Sequence, residues 1–242
     1  MQINKVNDFL FEVPKQGKMN VPLKIFTSEK LLKEIKQDKS IQQGINIASL
    51  PKIVDKSIML PDSHQGYGFP IGGVAAFPLE EGIITPGGIG FDINCGVRFL
   101  STDLTNEEIE GKIKDLINEL FRNVPSGLGS SSEVRLNHSE LDKVLENGVS
   151  WAVKKGYGNQ DDILHCESQG RLKKATASKI SHKAKDRGRK QLGTLGSGNH
   201  FLEVQIVDEI YEPEIAKTMG ITKKNQITVM IHCGSRGFGH QV

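Results

Sequence analysis

The sequence predicts an α+β fold, with mixed β-sheets and helices packed against them. Three observations point there. Short runs rich in Val, Ile and Phe read as strands. Between them lie apolar residues at helical spacing. The two kinds alternate irregularly, without the repeated βαβ spacing of a doubly wound sheet.

Along the chain, Ser28 is placed to cap a helix over 29–37. Strands are expected at 57–60, 71–77 and 97–101. Thr105 and Glu108 form the capping-box pattern T-N-E-E. The stripe Ile109, Ile113, Leu116, Ile117 and Leu120 follows, Pro125 closes it, and it reads as core. Residues 123–137 read as a Gly/Ser-rich loop inside the domain. Ser139 with Asp142 opens a further helix, with Leu141, Val144 and Leu145 inward and Gly148 interrupting it. The last two strands are expected at 201–207 and 226–232. No linker-like segment divides this series, so residues 1–242 read as a single domain.

Composition excludes several classes. The 242 residues are 37% hydrophobic and 25% charged, as in a soluble globular protein. No apolar run approaches the ~18–20 residues of a membrane span. The first residues lack the basic and apolar regions of a secretory signal. Three cysteines, Cys95, Cys166 and Cys233, an odd count spread far apart, do not look like a disulfide framework and fit a reducing cytoplasm. A net charge of +2 leaves any nucleic-acid surface to be local.

Glycine is the outlier: 26 residues, where about 7% of a chain is ordinary. The glycines cluster beside residues that carry chemistry. Asp92 and Cys95 stand three apart before a strand, so a turn can converge them on one metal; a turn-capping Asp and a buried Cys are the bland alternative. In Gly196-Ser197-Gly198-Asn199-His200, a tight loop feeds a strand and can hold phosphate, with an imidazole for metal or proton. His232 ends an apolar strand that opens into Gly234-Ser235-Arg236-Gly237, where Arg suits phosphate. Asp62 and His64 lie in a fourth cluster dense in turn formers. Residues 171–190 hold nine Lys or Arg against one acid, Asp186; on a helix they give a positive surface for backbone phosphates. His165-Cys166-Glu167 falls in an expected helix and reads as packing or surface.

Four motifs in order, P-D-S-H-Q-G-Y-G-F-P-I-G, G-G-I-G-F-D-I-N-C-G-V-R, L-G-T-L-G-S-G-N-H-F-L-E-V-Q and H-C-G-S-R-G-F-G-H-Q, resemble the RtcB family of RNA-splicing ligases. The resemblance runs from about Leu60 to Val242 and implies an RtcB-like fold. It also implies an enzyme that joins an RNA 3′-phosphate or 2′,3′-cyclic phosphate to a 5′-hydroxyl, in tRNA splicing or RNA repair. The cofactors implied are GTP, acting through a histidine-bound GMP, and two Mn²⁺ ions. Asp92, Cys95 and His200 would hold one ion, and Cys95 and His232 the other. Asn199, His200, Phe201, Leu202 and Glu203 would contact the guanylate.

The same resemblance places the guanylate-accepting histidine beyond Val242, so no catalytic residue is expected in this chain. The expectation is the N-terminal part of a longer ligase, inactive by itself. A natural truncation needing a partner chain for the missing part is the other explanation. Two further readings compete: a non-catalytic metal- and RNA-binding homologue, and a metal-dependent phosphoesterase.

Overall fold

The computed structural model describes residues 2–90 and 92–242 and is α+β, as expected. Its contacts gather in two compact units that divide after Gly90, a division no linker composition marks in the sequence.

The first unit is a five-stranded sheet in the order β1-β2-β3-β4-β5. Its elements are β1 (Asn4–Asn7), β2 (Leu10–Val13), β3 (Leu23–Phe26), α1 (Glu29–Ile35), α2 (Ser40–Ala48), β4 (Val54–His64), β5 (Ile71–Ala76) and the short α3 (Pro86–Ile89). Only the β3–β4 pair is parallel, and α1 and α2 fill that crossover. Ser28 caps α1 by accepting the Leu31 N–H at 3.3 Å, and the helix buries Leu32 and Ile35. The helix ends at Ile35, two residues before its expected end.

Helix α2 packs tightly on the sheet. A Cβ at Gly44 would meet Met59 Sδ at 2.8 Å and Leu23 at 3.0 Å, so only glycine lets the helix approach this closely. Leu23, Ile25, Ile47 and Met59 form the centre of the core. Strand β4 runs four residues past its expected end, through Pro61. That proline sits where the β4–β5 register shifts, the irregularity that lets a sheet tolerate it. Asp62 and His64 therefore lie on this strand.

The second unit has a three-stranded antiparallel sheet in the order β6-β8-β7. Its elements are β6 (Gly96–Thr105), α4 (Asn106–Ile109), α5 (Ile113–Asn123), α6 (His138–Asn147), α7 (Val149–Lys154), α8 (Gln160–Leu164), α9 (His182–Gly188), β7 (Phe201–Ile206), α10 (Pro213–Thr218), β8 (Gln226–Cys233) and α11 (Arg236–Gln241).

Three helix expectations need correction. The Thr105–Glu108 box forms, but it caps only α4; a 3₁₀ turn at Glu110–Lys112 separates α4 from α5. The apolar stripe on α5 is not core. None of its residues is buried, and it faces Leu202, Val204, Ile206 and Ile227 across an open groove of about 430 Å³. Helix α6 is capped by Asn137 and Glu140, not Ser139 and Asp142: the Asn137 side chain accepts the Glu140 N–H at 2.9 Å, and Glu140 accepts the Asn137 N–H at 3.0 Å. Leu141 is buried as expected, beside Leu136 and Trp151, and Gly148 breaks the helix with φ 55°. Among the described residues no helix is long and apolar enough to cross a membrane.

Candidate metal centre

Strand pairing brings the second and fourth motifs together. Gly96 pairs with Cys233 and Val97 with His232, so Cys95, just ahead of β6, arrives beside the end of β8. On the other side of β8, Phe201 pairs with His232 and delivers His200 at the start of β7.

The donor atoms converge. Cys95 Sγ lies 3.1 Å from His232 Nε2 and 3.4 Å from His200 Nε2. Asp92 Oδ2 lies 2.6 Å from the same His200 nitrogen. Cys95, His200 and His232 offer ligand atoms all within 4.8 Å of one another, the one such group of three or more among the described residues. All four residues expected at a metal site are therefore side by side.

Backbone and hydroxyl groups fix their orientation. His200 Nδ1 lies 3.1 Å from the Leu195 carbonyl, an acceptor that turns the ring so that Nε2 faces Cys95 and Asp92. Ser235 Oγ donates to Asp92 Oδ1 at 2.8 Å, and the Arg236 N–H reaches the same oxygen at 3.2 Å. The Cys233 thiol donates to the Leu195 carbonyl at 3.1 Å. The Leu195 carbonyl is in turn placed by backbone bonds, Leu195 N–H to Pro125 at 2.9 Å and Gly127 N–H to Gly196 at 2.6 Å. The Leu195 and Gly196 carbonyls are not legible in the sequence, because a backbone carbonyl has no residue signature.

Electrostatics match the donor set. Burial would raise the Asp92 carboxyl, but hydrogen bonds from Ser235, Cys95 and His200 outweigh it and hold it below the ordinary carboxylate range. Burial and then the Asp92 charge push the Cys95 thiol up to about 12. Burial also raises Cys233, against the Gly234 backbone and the Arg236 charge. A thiol held protonated beside a carboxylate is the state a divalent cation reverses, since its charge favours the thiolate. One carboxylate, one thiol and two imidazoles whose Nε2 atoms meet that thiol fit a divalent transition metal.

The five residues of the third motif divide. Asn199 is exposed in the turn before β7. Phe201 stacks on His232 with ring centroids 5.4 Å apart at 26°. Glu203 is exposed and accepts from Gln205 Nε2 at 2.9 Å. Strand alternation turns Leu202 to the opposite face, where it lines the groove under α5, so the five do not share one surface. Arg236 Nη1 is buried without a hydrogen-bond partner.

The basic segment is not one helix. Only Ala177–Lys179 and α9 are helical within it. Lys185 is buried against Asp142 at 2.7 Å, and Arg189 pairs with Asp186 at 3.0 Å. His165 and Cys166 fall just past α8, where Cys166 accepts from Arg98 at 3.2 Å.

Residues 43–242 match the family described as tRNA-splicing ligase RtcB. The chain belongs to the RtcB family. A tRNA-splicing ligase RtcB of Pyrobaculum aerophilum is 56% identical over 242 residues, covering 99% of this chain and 50% of the relative. One of Nanoarchaeum equitans is 52% identical over 242 residues, covering 100% of this chain and 51% of the relative. The RNA-splicing ligase RtcB homolog 1 of Entamoeba histolytica is 50% identical over 204 residues, covering 84% and 39%. The chain spans about half the length, or less, of these curated relatives. Within the RtcB match lie all four converging residues and the Ser235 and Leu195 groups that orient them.

Proposed function

We propose that this chain carries the metal centre of an RNA ligase. The reaction joins an RNA 3′-phosphate or 2′,3′-cyclic phosphate to a 5′-hydroxyl, in tRNA splicing or RNA repair, using GTP and a histidine-linked GMP. One observation supports it above others: in a chain of the RtcB family, Asp92, Cys95, His200 and His232 bring their donor atoms together.

The four residues suit two Mn²⁺ ions with Cys95 shared between them. When bound, such a pair polarises a phosphoryl group and offsets the charge that develops on it. The chain's own groups do the positioning. The Leu195 carbonyl orients the His200 ring, and Ser235 holds the Asp92 carboxylate. Asn199, His200, Phe201 and Glu203 are the proposed guanylate contacts, with Leu202 supporting them from the far face of the strand. The Arg236 guanidinium suits a phosphate. Lys and Arg between 171 and 190 with no ion pair among the described residues, Lys183 and Lys190 among them, would meet RNA phosphates. The free thiols suit a reducing cytoplasm.

The test pairs Mn²⁺ binding, followed by electron paramagnetic resonance, with RNA end joining by the protein isolated from its own cells. The Cys95→Ala variant is expected to lose both. End joining that survives this substitution overturns the assignment.

A further inference from the structure

A second histidine pair lies outside the cluster just described. His138 opens α6 and His182 opens α9. Their Nδ1 atoms are 3.2 Å apart, with ring centroids 5.1 Å apart and planes tilted by 43°. The other nitrogen of His138, Nε2, lies 3.0 Å from Asp186 Oδ1. That oxygen also accepts from Arg189 Nε at 3.0 Å. Hydrogen bonds from His138 first and Arg189 next hold the Asp186 carboxyl below its ordinary range, so it accepts and does not donate. In the neutral His138 ring the proton is therefore on Nε2 and the lone pair on Nδ1, facing His182.

We propose that His138 and His182 form a second site for a borderline divalent ion such as Zn²⁺, with Asp186 as the positioning residue behind His138. Three physical points carry this. Two imidazole nitrogens bound to one tetrahedral ion at about 2.0–2.1 Å stand about 3.3–3.4 Å apart, so the pair needs to open by only about a tenth or two of an ångström. A carboxylate on the far nitrogen is the arrangement that orients ligating histidines and raises their basicity. The spacing is set by packed helices: Lys185 of α9, itself buried, reaches Asp142 of α6 at 2.7 Å.

Charge and donor type set the expected strength and selectivity. Lys183 and Arg187 on α9 oppose a cation, while Asp142 and Asp186 counter Lys185 and Arg189. With two imidazoles and no thiolate, the site binds more weakly than the Cys95 cluster. Imidazole donors favour Zn²⁺ and disfavour Mg²⁺, which takes oxygen. The inference is independent of the ligase reading.

The test is titration of the chain with Zn²⁺ alone, counting bound equivalents by equilibrium dialysis. His182 is exposed, so His182→Gln spares the packing and is the decisive variant. His138→Gln is the companion, because it also gives up the Asp186 bond. Each variant is expected to bind one equivalent fewer than the parent chain, and the imidazole ¹⁵N resonances of both histidines to shift together in the parent. An equal number of equivalents in the parent and in His182→Gln overturns the proposal. So does a parent chain whose entire Zn²⁺ binding is abolished by Cys95→Ala, or one that takes Mg²⁺ at the pair as readily as Zn²⁺.

Discussion

His200 owes its role to neighbours on both of its nitrogens. The Leu195 carbonyl takes one side and Asp92 and Cys95 the other. Glycine at 196 is what allows this: φ there is +103°, and an added Cβ would lie 1.8 Å from Arg236 Nη1 and 2.7 Å from His200 Nδ1. Asp92 is held in a similar way by the Ser235 hydroxyl. Removing such an outer partner commonly weakens metal affinity by about 10–100-fold. Ser235→Ala is expected to fall in that range for Mn²⁺ while the fold is kept, measured by titration calorimetry beside circular dichroism. Unchanged affinity would show that the Arg236 N–H alone suffices to hold the carboxylate.

At the level of helices, two stripes that look alike in sequence end differently. Leu141 on α6 is 3% exposed, against Leu136 and Trp151, whereas Ile117 in the α5 stripe is 58% exposed and Phe121, next to Leu120 on the same helix, 81%. Truncating a buried leucine costs about 2–5 kcal/mol through lost transfer energy and the cavity left. Leu141→Ala is expected in that range, while Phe121→Ser is expected to change stability by about 0.5 kcal/mol or less. Urea unfolding of the two variants checks both; a large loss in Phe121→Ser would mean that the α5 stripe is covered in solution. Strand β4 makes the converse point. Its proline argues for a turn, but the register shift absorbs it and the strand continues to His64.

Over the whole molecule, the two units keep separate apolar centres, one around Leu23 and Met59 and one around Leu141 and Trp151. The metal ligands all belong to the second unit. A ligand at a hundred times its Kd stabilises the state that binds it by about 2.7 kcal/mol. Mn²⁺ at that level is expected to raise the thermal midpoint of the chain, and the rise is expected to vanish in Cys95→Ala, as read by calorimetry. A rise that persists in the variant would place the stabilising ion elsewhere. RNA binding is expected to weaken from 50 to 200 mM salt, ~10³-fold or more if six or more phosphates are contacted. Filter binding across that range checks it.

The sequence by itself determined the α+β class and the order of the later strands, because short β-rich runs are local features. It also marked Asp92, Cys95, His200 and His232 beside Gly-rich loops in separate segments, and only the resemblance of the four motifs to the RtcB family implied that they share one centre. Tertiary structure alone decided the rest. It paired β6 and β7 on either side of β8, so that residues more than a hundred positions apart touch. It left the α5 stripe half-exposed, because periodicity reports which face is apolar and not what covers it. It broke the basic segment into short helices and spent two of its charges on Asp142 and Asp186. It also set His138 against His182, a contact between two helix starts that no spacing in the sequence announces.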